Sequence, residues 1–91
     1  MPEQRRLMHF SGQVQGVGFR YAAARLAEGF DVTGYVRNLH DGRVEVLVEG
    51  AAQHIDSFLD ALRSQMGPYI EDITQQISQP TGEFAFFNIR F

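Results

Sequence analysis

The amino-acid sequence predicts an α+β sandwich, a mainly antiparallel sheet carrying two helices on one face. Three observations lead there. Two stretches repeat apolar residues at i, i+3, i+4 and i+7, each with a single stripe. Several shorter stretches alternate or run apolar in the manner of strands. The elements fall in the order strand, helix, strand, strand, helix, strand, with a further strand at the C-terminus.

The elements follow in chain order. From Leu7 to Val14, Met8, Phe10, Gly12 and Val14 share one face and Leu7, His9, Ser11 and Gln13 the other, which is the pattern of a half-buried strand. Arg5 and Arg6 read as a solvated start before it. Gln15 to Gly18 is a glycine-rich break. Phe19, Ala22, Ala23, Leu26, Ala27 and Phe30 then form one helix stripe, with Gly29 as its stop. A strand runs from Val32 to Leu39, and Asp41-Gly42 marks a tight turn. In Arg43 to Glu49, Val44, Val46 and Val48 point one way and Arg43, Glu45 and Glu49 the other. Ile55, Phe58, Leu59, Leu62 and Met66 make the second helix stripe, which Gly67-Pro68 ends. Ile73 to Ile77 is a weaker strand, Pro80-Thr81-Gly82 turns the chain, and Phe84 to Phe91 is an aromatic last strand. A split βαβ pair accommodates this order: a ferredoxin-like α/β sandwich, βαββαβ plus a C-terminal strand.

Composition narrows the function classes. Ninety-one residues, 44% hydrophobic and 21% charged, fit one domain spanning residues 1–91. The chain has no cysteine, which excludes a disulfide scaffold, a thiolate nucleophile and cysteine-rich metal sites. Net charge is −3, and the eight cationic residues, all arginine, are scattered. A nucleic-acid partner would call for concentrated positive charge. No apolar run approaches the ~20 residues of a membrane span. His9, Ser11, Gly12 and Gln13 interrupt any signal-peptide core. The expectation is a soluble cytoplasmic protein with neither a nucleic-acid nor a membrane partner.

The stretch that carries chemistry is Gly12-Gln13-Val14-Gln15-Gly16-Val17-Gly18-Phe19-Arg20, joining a strand to a helix N-terminus. Main-chain N–H groups there lack helical acceptors, and the helix dipole favours an anion. Gly16 and Gly18 let the backbone curl around a phosphate. Arg20 stands where the dipole disfavours a cation by ~0.3–1 kcal/mol. Such a broken local rule marks a functional position. A guanidinium at that point can pair with two phosphate oxygens at once. Read alone, the loop is also compatible with a simple tight turn and a solvated Arg20. Asn38, on the same strand face as Gly34 and Val36, can orient a water through its carboxamide. Alone it better suits a cap of the turn leading to Asp41-Gly42. A Walker loop is excluded because the chain has no lysine. A dinucleotide fingerprint is excluded because Tyr21 stands where its third glycine belongs.

Gly12 to Arg20, then Gly34-Tyr35-Val36-Arg37-Asn38 and Asp41-Gly42-Arg43-Val44, resemble the acylphosphatase family, closely from about Met8 to Gly50. The ending Phe87-Asn88-Ile89-Arg90-Phe91 resembles that family's aromatic last strand, where tyrosine is the more familiar final residue. The resemblance implies a single acylphosphatase-like domain that hydrolyses acyl phosphates to a carboxylate and inorganic phosphate. It makes Arg20 the phosphate-binding arginine, Asn38 the water-positioning asparagine, and Gln15, Gly16, Val17, Gly18 and Phe19 the backbone phosphate loop. It implies a monomer whose small-molecule partners are an acyl phosphate and inorganic phosphate, with no cofactor and no metal.

The remaining polar residues read as structural. His9, His40 and His54 lack metal-ligand spacing. Asp56 and Asp60, four residues apart on the second helix, make a solvated face. Tyr21 is assigned to helix packing, with the mouth of the site as the alternative, and the cluster of Phe84, Phe86, Phe87 and Phe91 to the core. Two competing functions use the same fold. A non-catalytic regulatory module would bind an anion at the loop but would have no use for Asn38. An RNA-recognition domain would show aromatics and basic residues where Arg43 to Glu49 has valines and glutamates.

Overall fold

The computed structural model describes residues 3–91. Its elements are β1 (Glu3–Gly12), α1 (Phe19–Ala27), β2 (Val32–Asn38), β3 (Val44–Ala51), α2 (Ala52–Met66), a short 3-10 turn (Gly67–Tyr69), β4 (Ile70–Ser78) and β5 (Phe87–Arg90). The strands form one sheet in the order β4-β1-β3-β2-β5. Three neighbouring pairs are antiparallel, and β5 lies parallel to β2. This is the expected ferredoxin-like α+β sandwich. No helix among the described residues is long and apolar enough to cross a membrane.

The inner face of the sheet is built by alternation. Met8 and Phe10 of β1, Val36 of β2, and Val44, Val46 and Val48 of β3 are fully buried. Helix α2 covers them with Ile55, Phe58, Leu59, Leu62 and Met66, the stripe read from spacing. Each such side chain contributes roughly 1.5–3 kcal/mol when buried. Helix α1 contributes Phe19, Ala22, Ala23 and Ala27. It stops at Ala27 rather than reaching Phe30, which packs against Phe58 from the following turn, ring centroids 6.3 Å apart.

The structure corrects the readings of Arg5 and Arg6 and of the C-terminal phenylalanines, and adds partners for Asp56, Glu45 and Glu49. Strand β1 begins at Glu3 and ends at Gly12, so Arg5 and Arg6 lie within it. Arg6 is buried, because Asp56 (2.7 Å) and Gln75 (3.3 Å) receive its guanidinium. Asp56 is therefore an ion-pair partner as well as a surface residue. On the outer sheet face the carboxylates of β3 are paired. Glu45 is held by Arg37 (2.7 Å), and Glu49 accepts the Thr81 and Gly82 main-chain N–H groups, both at 2.9 Å. Burial raises the Glu49 pKa, but those hydrogen bonds, that of the Thr81 hydroxyl and the Arg5 charge outweigh it and leave the carboxyl below its ordinary value. Of the four C-terminal phenylalanines assigned to the core, Phe87 alone packs there, edge-on to Phe58 at 5.5 Å. Phe84 meets Tyr35 on the outer face at 6.0 Å, and Phe86 and Phe91 are exposed. The reason is length. Strand β5 has only four residues, so the segment before it crosses the outer face instead of adding to the sheet.

Candidate active site

Strand register brings the predicted residues together. Phe10 of β1 and Asn38 of β2 both pair with Val44, from opposite sides of β3. Two strands that are each antiparallel to a third run parallel to one another. The C-terminal ends of β1 and β2 therefore lie at one end of the sheet, about 10 Å apart across β3. The chain leaving β1 must turn there to start α1. Alternation places Asn38 on the face of Val36, the face that the helices cover.

The loop has the backbone that its glycines suggest. Gly16 (φ 78°) and Gly18 (φ 81°) are both left-handed, with Val17 between them at negative φ. A Cβ at either glycine would meet nothing within 4 Å, so conformation rather than crowding calls for glycine. Alternating hands make successive N–H groups converge on one point. Gly18 is the N-cap of α1, and no side chain caps it. The helix's first main-chain hydrogen bond runs from Ala22 N–H to the Gly18 carbonyl, 3.0 Å. The N–H groups of Phe19, Arg20 and Tyr21 precede it and are free of the helix ladder. No acidic residue stands in this first turn to use their partial charge.

Val14, Gly16, Gly18, Phe19, Arg20, Tyr21 and Asn38 line one concavity of about 150 Å³. Arg20 and Asn38, eighteen positions apart in the chain, thus share a site with the uncapped helix end. Two larger clefts exist, near 410 and 400 Å³. The first presents Glu3, Asp31 and Glu49, which repel an anion. The second is an open groove beside β5 that also carries Glu28 and Asp31. The smallest of the three combines a cation with the uncapped N-terminus of α1.

Not every predicted loop residue faces the concavity. Val17 packs against the core. Gln15 turns its carboxamide away, toward the β2–β3 turn, where Nε2 donates to the Leu39 carbonyl (2.8 Å) and the Arg43 carbonyl (3.0 Å). Tyr21, assigned to helix packing, is exposed and lines the mouth instead. That is the alternative placement, and it agrees with a position outside the stripe of Phe19, Ala22 and Ala23. Phe91 is a second residue that sequence reasoning left in the core, although its ring lies against the Arg20 guanidinium. The turn itself is set by Asp41, whose carboxylate accepts Arg43 N–H (3.1 Å) and Nε (2.9 Å). Those two hydrogen bonds hold the Asp41 carboxyl below its ordinary pKa.

The chain is similar to known proteins over most of its length. The acylphosphatase family model matches residues 7–89. The acylphosphatase of Paenarthrobacter aurescens is 46% identical over 80 residues, covering 87% of this chain and 85% of that protein. The acylphosphatase of Syntrophotalea carbinolica is 40% identical over 84 residues, covering 89% of each. The crystal structure of acylphosphatase from Bacillus subtilis superposes with a TM-score of 0.84 at 33% identity, covering 98% of this chain and 99% of that one.

Proposed function

The chain belongs to the acylphosphatase family, a family of enzymes, and from that premise we propose that it hydrolyses the carboxyl–phosphate bond of acyl phosphates by in-line attack of water on phosphorus. The observation that carries the proposal is the shared concavity of Arg20, Asn38 and the uncapped N-terminus of α1.

In this reading the phosphoryl dianion sits among the main-chain N–H groups of Gln15 to Phe19, with the Arg20 guanidinium paired to two of its oxygens. The Asn38 carboxamide holds a water opposite the leaving oxygen. The water oxygen bonds to phosphorus as the bond from phosphorus to the acyl oxygen breaks. The electron pair leaves with the carboxylate, whose conjugate acid has a pKa near ~4. That group departs unprotonated at neutral pH, so no strong general acid is needed. An amide is a poor base, and a phosphate oxygen accepts the water's proton. Phosphoryl transfer needs positioning and charge stabilisation more than covalent chemistry. The scheme asks for no cofactor, and acyl phosphate and inorganic phosphate are the only partners it needs. A monomer in the cytoplasm suffices.

The chemistry is tested by hydrolysing an acyl phosphate, without added metal, in isotopically labelled water. Attack on phosphorus puts the heavy oxygen in inorganic phosphate. Label recovered in the carboxylate instead would mean attack at the carbonyl and would overturn the scheme. Protein that binds phosphate yet leaves acyl phosphates intact would favour the regulatory module.

A further inference from the structure

We propose that the side chain of Gln15 is a positioning residue that fixes the distance between the phosphate loop and Asn38; this rests on the reading given under Proposed function. Its main chain belongs to the loop, but its carboxamide does something the loop does not require. Nε2 spans to two carbonyls, Leu39 at 2.8 Å and Arg43 at 3.0 Å, which face each other at the base of the β2–β3 turn. Leu39 follows Asn38 directly, and Asn38 is the last residue of β2. The same carbonyls also serve the turn. The Arg43 carbonyl accepts Leu39 N–H (2.8 Å) and the Leu39 carbonyl accepts Gly42 N–H (3.3 Å). Each is therefore shared between the turn's own closure and Gln15. Both N–H bonds of one neutral NH₂ group are used, and Gln15 is itself half-buried.

The mechanical need is specific. Asn38 has to aim water at a phosphorus whose position is set by Gly16 to Arg20, on a different element. Gly16 and Gly18 have no side chain to pack, so Val17 between them is what holds this part of the loop against the core. Among the described residues, the two Gln15 hydrogen bonds are the side-chain bonds that join this loop to the β2–β3 turn. A displacement of about 1 Å between reacting groups costs on the order of 100-fold in rate. A carboxamide of this length supplies two donors without charge. A glutamate in its place supplies one when protonated and none when ionised.

The experiment is a double-mutant cycle on acyl phosphate hydrolysis, with inhibition by inorganic phosphate as the measure of loop integrity. Gln15→Met should lower kcat by about tenfold or more while the phosphate inhibition constant moves far less. In an Asn38→Ala background the same substitution should change kcat by less than about twofold, because the group it positions is gone. Equal losses in both backgrounds would overturn the inference. Should Gln15→Met fail to fold, Gln15→Glu keeps the test. Its kcat, relative to wild type at each pH, should fall as pH rises through the carboxyl titration, and a ratio independent of pH would overturn the inference. The parent reading fails separately. If Asn38→Ala alone retains full kcat, that reading is wrong and this one falls with it. If Asn38→Ala loses kcat but shows no coupling, only the role of Gln15 is refuted.

Discussion

The guanidinium carbon of Arg20 lies 4.9 Å from the ring centroid of Phe91, the last residue of the chain. Phe91 is 92% exposed, so it does little for the core. Stacking on an exposed aromatic face contributes about 0.5–1 kcal/mol, and a stacked guanidinium keeps its planar fork free for two phosphate oxygens. The C-terminus of the chain thereby reaches a residue of the first helical turn.

Phe91→Ala should accordingly weaken phosphate inhibition about two- to fivefold and leave the thermal midpoint nearly unchanged. Inhibition by inorganic phosphate and a melting curve check both halves. Unchanged inhibition would mean that the stacking does not organise Arg20.

Gly18→Ala tests the loop backbone. A left-handed alanine costs about 1–2 kcal/mol, and here the cost is conformational because no atom crowds the Cβ. The expected outcome is a lower urea midpoint together with weaker phosphate inhibition, as the N–H groups relax apart. A variant with full stability and full affinity would show that the φ of 81° at Gly18 is dispensable.

Asn38→Ala should behave differently from any loop variant. In the proposed scheme its partner is the attacking water, so kcat should drop by about 100-fold or more while inorganic phosphate inhibits at nearly the wild-type concentration. Steady-state kinetics with phosphate as inhibitor separates the two. Parallel loss of both would reassign Asn38 to binding.

Glu49 makes a prediction about acid. Its carboxyl lies below its ordinary pKa in the folded protein despite burial, through Thr81, Gly82 and Arg5. A depressed carboxyl contributes its stability in full above the unfolded pKa of ~4.3 and loses it as pH falls through the folded value. Urea unfolding should show Glu49→Gln clearly weaker than wild type at pH 7. The gap should narrow below about pH 4, where the wild-type carboxylate protonates. A gap that stays constant to pH 2 would place the effect elsewhere.

How much of this was legible in the sequence depends on the range of the interaction. The valines of β3 and the stripe of α2 were readable because burial follows a local period. Arg6 was not, since what buries it is Asp56 and Gln75, each at least fifty positions away. Glu45 and Glu49 alternate outward as expected, but nothing near them in the chain announces that Arg37 and residues 81–82 will cover them. In the site, Arg20 stood out by violating the dipole preference of a helix start, and Gly16 and Gly18 by their spacing. The proximity of Arg20 to Asn38 had no local signature. It follows from two strands sharing Val44 as a register partner. The Gln15 bridge was hidden for a related reason, because its acceptors are main-chain carbonyls and carry no sequence mark at all.

The central claim is that one guanidinium and a set of main-chain donors hold the phosphoryl group for attack. The most direct measurement is acyl phosphate turnover by Arg20→Gln, with circular dichroism confirming the fold. The account predicts a loss of at least about 10²–10³-fold together with weakened inhibition by inorganic phosphate. Turnover at the wild-type rate by the folded variant would contradict it.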